Sequence, residues 1–510
     1  MVMHLQATAV GIDDMAVYIP QLYLPIESLA DARNLEYAKL NQGLGLTAMS
    51  LPDVREDAAT MMANAVLSLI RQNQLNPQDI GRIYLGTESA LDGAKPTATF
   101  ALDMLNQALS ATYGDDCLLH CDVVDLTFAC IGAVDALQNT LDWVRADTRR
   151  VGIVVASDVA KYELGSGGEY TQGAGAIAVL VKANPRLMRF EGEWGVATRP
   201  VFDFFKPLRK VYKHELVAEI LHLADRNHVD IEAMLARLDQ TINVQGVLDS
   251  NEAVLQLHRS TPVFDGPYSN DCYQQRIREA LQDYKHKNSL DTTAPVAISC
   301  DRLAFHLPYA YQARRMFGEI FLLETIAAGN AALLEEQTGM PLAAEGSPEW
   351  INMVKAVTKT KAYRQFVSQR IENGERASSL MGNLYTGSLF LSIMSLLEAG
   401  LTDDDLKANA SVGCFAYGSG SKSKVFVGTL QPDWRSVAAN FRLTSRLAQR
   451  TAIDYPTYEK LHRGQVRENI AETAGVFYLQ QVHEARDNQE GMRSYGLSEK
   501  HPDLALKTSC

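Results

Sequence analysis

The chain has 510 residues, of which 46% are hydrophobic and 21% are charged, and this composition excludes a disordered, collagen-like or disulfide-scaffold protein. Its 48 Lys and Arg residues face 61 Asp and Glu residues, so the net charge is −13 and no general attraction to nucleic acid or anionic membranes is expected. Apolar runs are too short to span a bilayer, and residues 1–20 lack the pattern of a secretory signal. We therefore expect a cytoplasmic protein.

Short runs rich in Val and Ile, bounded by Gly, Asp or Ser, predict strands that are buried on both faces. The predicted strands cover residues 82–86, 118–126, 151–157, 174–181, 296–300 and 425–430. Amphipathic segments between them predict helices over residues 58–72, 131–145 and 310–334. Alternation of strand and helix predicts an α/β architecture with helix-covered sheets.

The chain is predicted to form two α/β halves, over residues 1–190 and 191–485, and to end in a polar tail over residues 486–510. Residues 209–261 are polar and helical in pattern without a buried-strand run, which indicates a helical insertion in the second half. The charged tail is expected to be loosely held.

Seven cysteines are scattered over the chain without the spacing of a disulfide framework, so they are expected to be thiols. Cys117, His120 and Cys121 lie close together, but no second pair of ligands follows at zinc spacing. Because a closed structural zinc site needs four ligands, no metal site is predicted.

The strongest local signal surrounds Cys130, which follows a predicted strand and directly precedes an amphipathic helix. Unpaired N–H groups and the dipole at a helix N-terminus favour a thiolate, which is the form that attacks a thioester carbonyl. The same N–H groups can hold the oxyanion that results. The alternative is that Cys130 is a small buried hydrophobic residue, which is the usual environment of cysteine.

Two other side chains follow predicted strands and are candidate partners of this nucleophile. Glu88 comes directly after the strand that ends at Gly86, where partial desolvation would raise its pKa and suit a general base. His306 lies among apolar residues before Pro308. The alternatives are a capping carboxylate and a histidine satisfied in the core.

Three glycine-rich loops, over residues 165–176, 380–388 and 417–424, let the backbone approach a ligand closely. None of them matches a nucleotide-binding motif. Each loop alone is equally consistent with a tight turn.

Taken together, these segments resemble the 3-hydroxy-3-methylglutaryl-CoA (HMG-CoA) synthase family of the thiolase-like superfamily. The similarity spans about residues 8–430 and is carried by motifs in the family's order: GTES at 86–89, AC at 129–130, SDVAKY at 157–162, GEYTQGAG at 168–175, PVFDGPYSNDCY at 262–273, FHLPY at 305–309, GNLYTGS at 382–388 and YGSG at 417–420. The resemblance implies two similar halves, each around a five-stranded sheet, in a layered αβαβα core that is commonly dimeric.

The resemblance also implies roles for the catalytic residues. Cys130 would be acylated by acetyl-CoA, Glu88 would remove a proton from the methyl of acetyl-Cys130, and His306 would polarise the ketone of acetoacetyl-CoA. Water would then hydrolyse the S-acyl intermediate, and no metal, cofactor or prosthetic group is required.

Four further residues would contact the substrates. Asn383 and Ser419 would orient the second substrate or the oxyanion, and Tyr162 and Thr171 would line the pocket.

The sequence departs from the family pattern at three places. Ile131 replaces the usual tyrosine after the nucleophile, which is expected to make one pocket wall more apolar. Tyr311 replaces a lysine that contacts CoA in many members, and Arg315, with Arg314 before it, is the candidate to hold the CoA phosphates instead. The insertion over 209–261 is longer than the family pattern leads us to expect.

Three alternative functions remain open at this point. A related synthase uses the same aldol addition on acetoacetyl groups carried by acyl carrier protein, to install β-branches in polyketides. A ketoacyl synthase would use Cys130, His306 and Asn383, but it needs no carboxylate base, so Glu88 favours the HMG-CoA synthase. A non-catalytic scaffold on the same fold is the third alternative.

Overall fold

The computed structural model describes residues 8–226, 228–240, 253–484 and 488–499. The strands are β1 Val10–Tyr18, β2 Leu22–Pro25, β3 Ala48–Leu51, β4 Ile80–Gly86, β5 Asp122–Leu126, β6 Val151–Ala160, β7 Gly173–Ala183, β8 Met188–Phe190, β9 Gly195–Thr198, β10 Phe204–Phe205, β11 Arg209–Tyr212, β12 Val254–Leu257, β13 Val263–Phe264, β14 Arg302–Phe305, β15 Ser411–Gly418, β16 Lys422–Leu430, β17 Thr451–Ala452, β18 Phe477–Val482 and β19 Arg493–Leu497.

The helices are α1 Ile26–Arg33, α2 Tyr37–Leu44, α3 Ala58–Gln72, α4 Thr97–Tyr113, α5 Gly132–Ala146, α6 Lys213–Leu223, α7 Ile231–Gln240, α8 Gly266–Lys287, α9 Val296–Ser299, α10 Gln312–Met316, α11 Gly318–Ala327, α12 Ala331–Thr338, α13 Pro348–Val357, α14 Lys361–Arg370, α15 Glu372–Met381, α16 Ser388–Ala399, α17 Trp434–Ala438, α18 Leu443–Ala448 and α19 Tyr455–His462. No helix in the described ranges is both long and apolar enough to cross a membrane.

A ten-stranded sheet organises the chain. One half has the order β5-β4-β6-β7-β1, and the other has β14-β15-β16, whose far edge carries both β8 and β9. Each half contains a parallel pair next to an antiparallel hairpin, namely β4 and β6 before β7, and β14 and β15 before β16. The expected pair of similar halves is confirmed, and the pairing of β1 with β8 joins them into one sheet.

Successive side chains along the strands point to opposite faces, so the strands lie between three hydrophobic cores. In β6, Val154 and Ala156 enter the central core, whereas Ile153 and Val155 face the outer core of the first half. Helices α5 and α16 lie in the central core, α3 and α4 cover the first half, and α8, α11 and α13 cover the second. This arrangement is the predicted αβαβα layering.

The first α/β half follows its sequence pattern closely. Helix α3 has the ends predicted from its periodicity, and it begins with a capping box in which Asp57 accepts from Thr60 N at 2.9 Å. The predicted strands over 82–86, 151–157 and 174–181 all lie within β4, β6 and β7.

One predicted strand is wrong and another is correct only in part. The segment over 296–300 forms the short helix α9, because the buried carboxylate of Glu324 accepts from Ile298 N at 2.9 Å and stabilises a turn. In the segment over 118–126 only Asp122–Leu126 is a strand, and its residues are partly exposed because β5 pairs with β4 at the edge of the sheet.

The described part of the insertion consists of α6 and α7 on a two-stranded ribbon in which β11 pairs with β12. Residues 241–252 of the predicted insertion lie outside the described residues. Below this ribbon, β10 pairs with β13 and places Phe204 opposite Phe264. The base of the insertion is therefore a short β-stem.

Part of the predicted tail is a strand rather than a loosely held segment. Strand β19 pairs with β18, and the Tyr495 ring packs edge-on against Phe100 at 6.2 Å while its hydroxyl donates to Asp57 at 3.0 Å. These contacts hold the hairpin on α3 and α4. Residues 486–487 and 500–510 of the tail lie outside the described residues.

Gly86 at the end of β4 lies close against the start of α5, since an added Cβ would lie 2.1 Å from Ala133 N. We expect Gly86→Ala to destabilise the protein by about 1–3 kcal/mol or more, because backbone must move to admit the methyl group. Gly93→Ala on the following loop is the matched control, since its Cβ would meet nothing within 4 Å. Urea unfolding of both variants measures the difference, and equal losses would contradict this account.

Candidate active site

Cys130 lies on the turn between β5 and α5, at the N-terminal end of the helix. Ala129 adopts a positive φ of 38°, and Ile131 N donates to Phe128 O at 3.1 Å across the turn. This tight turn presents the Cys130 side chain, which is 8% exposed, to a cavity between the two halves.

Glu88 is in direct contact with the candidate nucleophile. Its Oε1 lies 3.0 Å from Cys130 Sγ, and its side chain is only 5% exposed. Strand β4 pairs in parallel with β5 and β6, so the segments that follow all three strands meet at one edge of the sheet. This topology brings two sequence-predicted residues together although they lie far apart in the chain.

Asp158, near the end of β6, anchors the Glu88 loop. It accepts from Glu88 N at 2.7 Å, from the hydroxyls of Thr87 and Ser89 at 3.1 Å, and from Thr386 N at 3.1 Å. Burial raises the pKa of the Asp158 carboxyl to about 6, and the nearby charge of Glu88 adds to the rise. The loop of Glu88 is thereby tied to the loop that contains Thr386 in the second half.

The expectation that Cys130 is a thiolate is wrong, because its surroundings favour the protonated thiol. Burial raises the pKa of the thiol well above its ordinary value, and the charge of Glu88 and its hydrogen bond raise it further. The protonated thiol therefore donates its hydrogen bond to the Glu88 carboxylate. A nucleophile in this setting needs a base in contact, and Glu88 occupies that position.

His306 directly follows β14 and is fixed by its backbone. The backbone N–H of His306 donates to Phe415 O at 2.9 Å, and the backbone carbonyl of His306 accepts from the Tyr273 hydroxyl at 2.9 Å. Burial lowers the pKa of the imidazole to about 3, so the ring is neutral near pH 7. Among the described residues, Nδ1 has no hydrogen-bond partner, and the side chain lines the same cavity as Cys130.

The cavity has a volume of about 300 Å³ and collects the predicted substrate-binding residues. Its walls include all five of them: Tyr162, Thr171, Asn383, Ser419 and Arg315. Glu88 lies behind Cys130 rather than in the lining. The sequence-predicted residues therefore converge on one site.

Two loops from opposite halves meet at the cavity wall. Asn383 N donates to Thr171 O at 2.9 Å, and Asn383 Oδ1 accepts from Tyr385 N at 2.8 Å. Thr171 Oγ1 donates to Gly168 O at 2.8 Å, which closes its own turn. These bonds hold the side chains of both loops at fixed positions around the cavity.

Three aromatic wall residues were missed by the sequence reasoning. Phe264, Phe204 and Tyr385 pack edge-on around Tyr162, with ring centroids at 5.3, 6.3 and 6.5 Å from it. Tyr385 lies inside the GNLYTGS motif, so its signal was present in the sequence. Phe264 likewise lies inside the motif over 262–273, whereas Phe204 reaches the wall through the β10–β13 pairing, which is not readable from periodicity over two residues.

The two candidate arginines have different environments. Arg314 donates through Nε to the buried carboxylate of Glu375 at 3.1 and 3.0 Å, and its guanidinium lies 3.9 Å from the centroid of the Tyr311 ring. Arg315 is exposed at the mouth of the cavity and donates to Gly43 O at 3.1 Å. Arg315 is therefore the one of the pair that is placed to meet a ligand.

Ile131 does not line the cavity, contrary to the expectation from its position beside the nucleophile. It is fully buried in the central core, and a Cβ at Gly418 would lie 2.9 Å from its Cγ2. The turn at Ala129 and Cys130 directs the two neighbouring side chains in different directions. Ile131 therefore contributes to the packing between the halves rather than to the cavity wall.

Lys206 is a further residue that the sequence reasoning missed. Its side chain is 12% exposed, and Nζ lies 3.5 Å from Glu88 Oε2 and donates to Glu88 O at 3.1 Å. The ammonium group also lies 4.6 Å from the centroid of the Tyr385 ring. It places a positive charge beside the Glu88 carboxylate.

Similarity to solved structures covers almost the whole chain. MvaS in complex with 3-hydroxy-3-methylglutaryl coenzyme A is similar with a TM-score of 0.74 and 26% identity, over 96% of this chain and 100% of that chain. The HMG synthase of the curacin biosynthetic pathway in complex with acetyl donor-ACP shares the fold, with a TM-score of 0.68 and 19% identity over the same shares.

Sequence comparison identifies the family. The model described as hydroxymethylglutaryl-coenzyme A synthase N terminal matches residues 6–185, and the C-terminal model matches residues 256–483. A hydroxymethylglutaryl-CoA synthase of Haloferax volcanii is 29% identical over 465 residues, with 89% of this chain and 91% of the relative covered. One from Enterococcus faecalis is 26% identical over 465 residues, with 91% and 94% covered. The chain belongs to the HMG-CoA synthase family.

Proposed function

We propose that this protein is an HMG-CoA synthase that condenses acetyl-CoA with acetoacetyl-CoA and releases HMG-CoA and CoA. The observation that carries the proposal is the 3.0 Å contact between Glu88 Oε1 and Cys130 Sγ at a cavity that His306 also lines. Sequence relatives named hydroxymethylglutaryl-CoA synthase over about nine-tenths of the chain support the same activity.

The first step is transfer of the acetyl group to sulfur. Glu88 accepts the thiol proton of Cys130 while the sulfur attacks the thioester carbonyl of acetyl-CoA. The C–S bond to CoA then breaks, and the proton on Glu88 goes to the leaving CoA sulfur. Glu88 is again a carboxylate and Cys130 carries the acetyl group, so the base is ready for a second proton transfer.

The second step forms the carbon–carbon bond. Glu88 removes a proton from the acetyl methyl, and the resulting carbon nucleophile attacks the ketone carbon of acetoacetyl-CoA. The neutral imidazole of His306 donates a hydrogen bond to the ketone oxygen, where negative charge develops, and the proton from Glu88 completes the tertiary alcohol. Anchoring both partners in one cavity replaces a bimolecular encounter by a positioned reaction.

The final step is hydrolysis of the thioester to Cys130. Water adds to the acyl carbonyl, the C–S bond breaks, and the thiol of Cys130 regains its proton. Cleavage of a thioester by water makes the overall sequence of steps irreversible. Every proton in this scheme is moved by this chain's own residues or by water.

The CoA portion of the substrates is assigned to the Arg315 side of the cavity. Arg315 also lines an adjoining cleft of about 600 Å³ that contains Arg364 and Tyr311. A guanidinium group at the mouth suits the phosphates of CoA, because it offers paired donors and a permanent charge. With a net charge of −13 the chain has no general attraction for anions, so a local cation favours binding of the phosphates.

We also propose a cytoplasmic homodimer. Strand β5 lies at the end of the described sheet order, with 36% of Val124 exposed, and the turn before it exposes 68% of Leu119. An edge strand with exposed apolar residues is suited to pairing with a second copy. Sedimentation equilibrium of the purified chain measures this directly, and a monomer at micromolar concentration would remove the dimer from the proposal.

Glu88→Gln tests the division of work between the two steps. Because the amide cannot accept a proton, we expect acetylation of Cys130 by acetyl-CoA to slow but still occur, and condensation to fall by at least about 100-fold. Mass spectrometry follows the acetyl adduct, and HMG-CoA formation follows the condensation. Cys130→Ala, which removes the sulfur, is the control without an adduct. Full condensation activity in Glu88→Gln would rule out its role as the base.

His306→Gln tests the buried neutral imidazole through stability. The unfolded-state pKa is about 6.5 and the folded-state pKa is about 3, so only the unfolded chain binds a proton between these values. The stabilisation associated with the neutral His306 side chain is therefore complete above about pH 6.5, and the free energy of unfolding decreases as the pH falls below this value. Between pH 7 and pH 5, we expect the wild-type protein to lose about 2 kcal/mol relative to His306→Gln.

Urea unfolding of both proteins at the two pH values measures this difference. The same variant is expected to keep acetylation of Cys130 and to lose efficient use of acetoacetyl-CoA. An identical pH dependence in both proteins would mean that His306 is not held neutral.

Arg315→Ala tests the assignment of the CoA end. Loss of a phosphate contact that is equally strong in the ground state and transition state raises KM with little change in kcat. We expect KM for acetyl-CoA to rise about tenfold, in line with loss of one charge-assisted hydrogen bond. Arg364→Ala, in the same cleft, is the companion variant. An assay that compares acetoacetyl-CoA with acetoacetyl-acyl carrier protein shows which of the two acceptors the protein uses.

A further inference from the structure

Lys206 lies just after β10, in the part of the chain between the two family matches, which end at residue 185 and resume at residue 256. Its ammonium group contacts Glu88 twice, at the carboxylate and at the backbone carbonyl. It also lies over the Tyr385 ring, which provides a favourable cation–π contact. These three contacts, two with Glu88 and one with Tyr385, therefore fix the position of the Lys206 ammonium group.

The segment that carries Lys206 is itself anchored. Asp203 is fully buried, and its carboxylate accepts from Gly420 N at 2.7 Å, from the Tyr417 hydroxyl at 2.6 Å and from Ser269 Oγ at 3.1 Å. These partners belong to the second half, on the same side of the cavity as Ser419. The hydrogen-bonded carboxylate of Asp203 therefore fixes one end of the segment from Asp203 to Lys206.

Glu88 can act as a base only in its ionised form, and a positive neighbour favours that form. The titratable groups that face it are the Cys130 thiol, the Asp158 carboxyl, the phenols of Tyr162 and Tyr385, and Lys206. All of these except Lys206 are neutral or negative. A buried carboxylate beside a second carboxylate binds a proton more tightly, and a protonated Glu88 cannot accept one from the thiol.

We propose that Lys206 is a positioning residue that keeps Glu88 ionised and oriented for both proton transfers, a role that rests on the proposed synthase function. In the resting site, the positive charge of Lys206 balances the carboxylate. When Glu88 takes the methyl proton, the negative charge passes to the enolate of acetyl-Cys130 and Lys206 remains positive. The summed charge of the site is thus unchanged while the proton moves, which limits the electrostatic cost of the step in a buried cavity.

Lys206→Met tests this role by removing the charge while keeping much of the side-chain volume. We expect the acidic limb of the pH profile of Cys130 acetylation to move up by about one pH unit or more, and the rate at pH 7 to fall about tenfold. Lys206→Arg keeps the charge, and we expect it to stay within about threefold of the wild-type rate. A role in packing alone would lower the rate without moving the pH profile.

Lys285→Met is the matched control. Lys285 is also buried and pairs with a carboxylate, that of Glu324 at 3.2 Å, but it lies on α8 and does not line the substrate cavity. We expect this variant to lose stability without a change in the pH profile of acetylation. A shift equal to that of Lys206→Met would assign the effect to general destabilisation and overturn the proposal.

Alkylation of Cys130 by iodoacetamide gives a second readout that does not depend on the synthase reaction. Because Lys206 stabilises the negative form of the Glu88 and Cys130 pair, we expect Lys206→Met to move the pH dependence of alkylation upward as well. If wild-type protein forms no acetyl adduct, the proposed function fails, but the alkylation profiles still decide the charge effect. If the wild type is acetylated and both profiles are unchanged in Lys206→Met, the role of Lys206 is refuted.

Discussion

The buried carboxylate of Asp158 is the constraint on which the site depends. It lies near the end of β6, and the parallel pairing of β6 with β4 places it beside the backbone of Glu88. Its other oxygen accepts from Thr386 in the second half, so one side chain fixes loops from both halves. An unsatisfied carboxylate would be very costly at this depth, and the converging donors are what make it tolerable. The cavity between the halves keeps its shape because these loops cannot separate without breaking those bonds.

The same burial decides how the nucleophile is activated. A helix N-terminus typically stabilises an anion by about 0.3–1 kcal/mol at an exposed site, whereas one pKa unit corresponds to about 1.4 kcal/mol. For Cys130, desolvation and the adjacent negative charge exceed the helix effect, so the thiol keeps its proton. Activation then depends on contact with a base rather than on an intrinsically acidic thiol. Glu88 at 3.0 Å provides that contact, and it could not be inferred from the position of Cys130 alone.

The sequence predicted those parts of the fold and site that are encoded locally. Helix α3 and the buried strands follow from periodicity, and Asn383 and Ser419 lie in glycine-rich motifs that the fold brings to the cavity. Residues placed by the short β10–β13 pairing were missed. Phe204 and Lys206 reach the site because β10 pairs with β13 across the insertion, and a two-residue strand leaves no periodic signal. The orientation of Ile131 also depends on the turn at Ala129, whose positive φ is not apparent from the residue type.

The β10–β13 stem connects the insertion to the wall of the active-site cavity. Phe204 and Phe264 face each other across the β10–β13 pair and pack on Tyr162 at the cavity wall, while Lys206 leaves the same stem toward Glu88. The ribbon and helices of the insertion continue directly from this point. The aromatic wall and the charge beside the base are therefore both attached to the two short strands from which the ribbon continues. The stem thus joins the wall of the Cys130 cavity to the insertion, most of which lies between the two family matches.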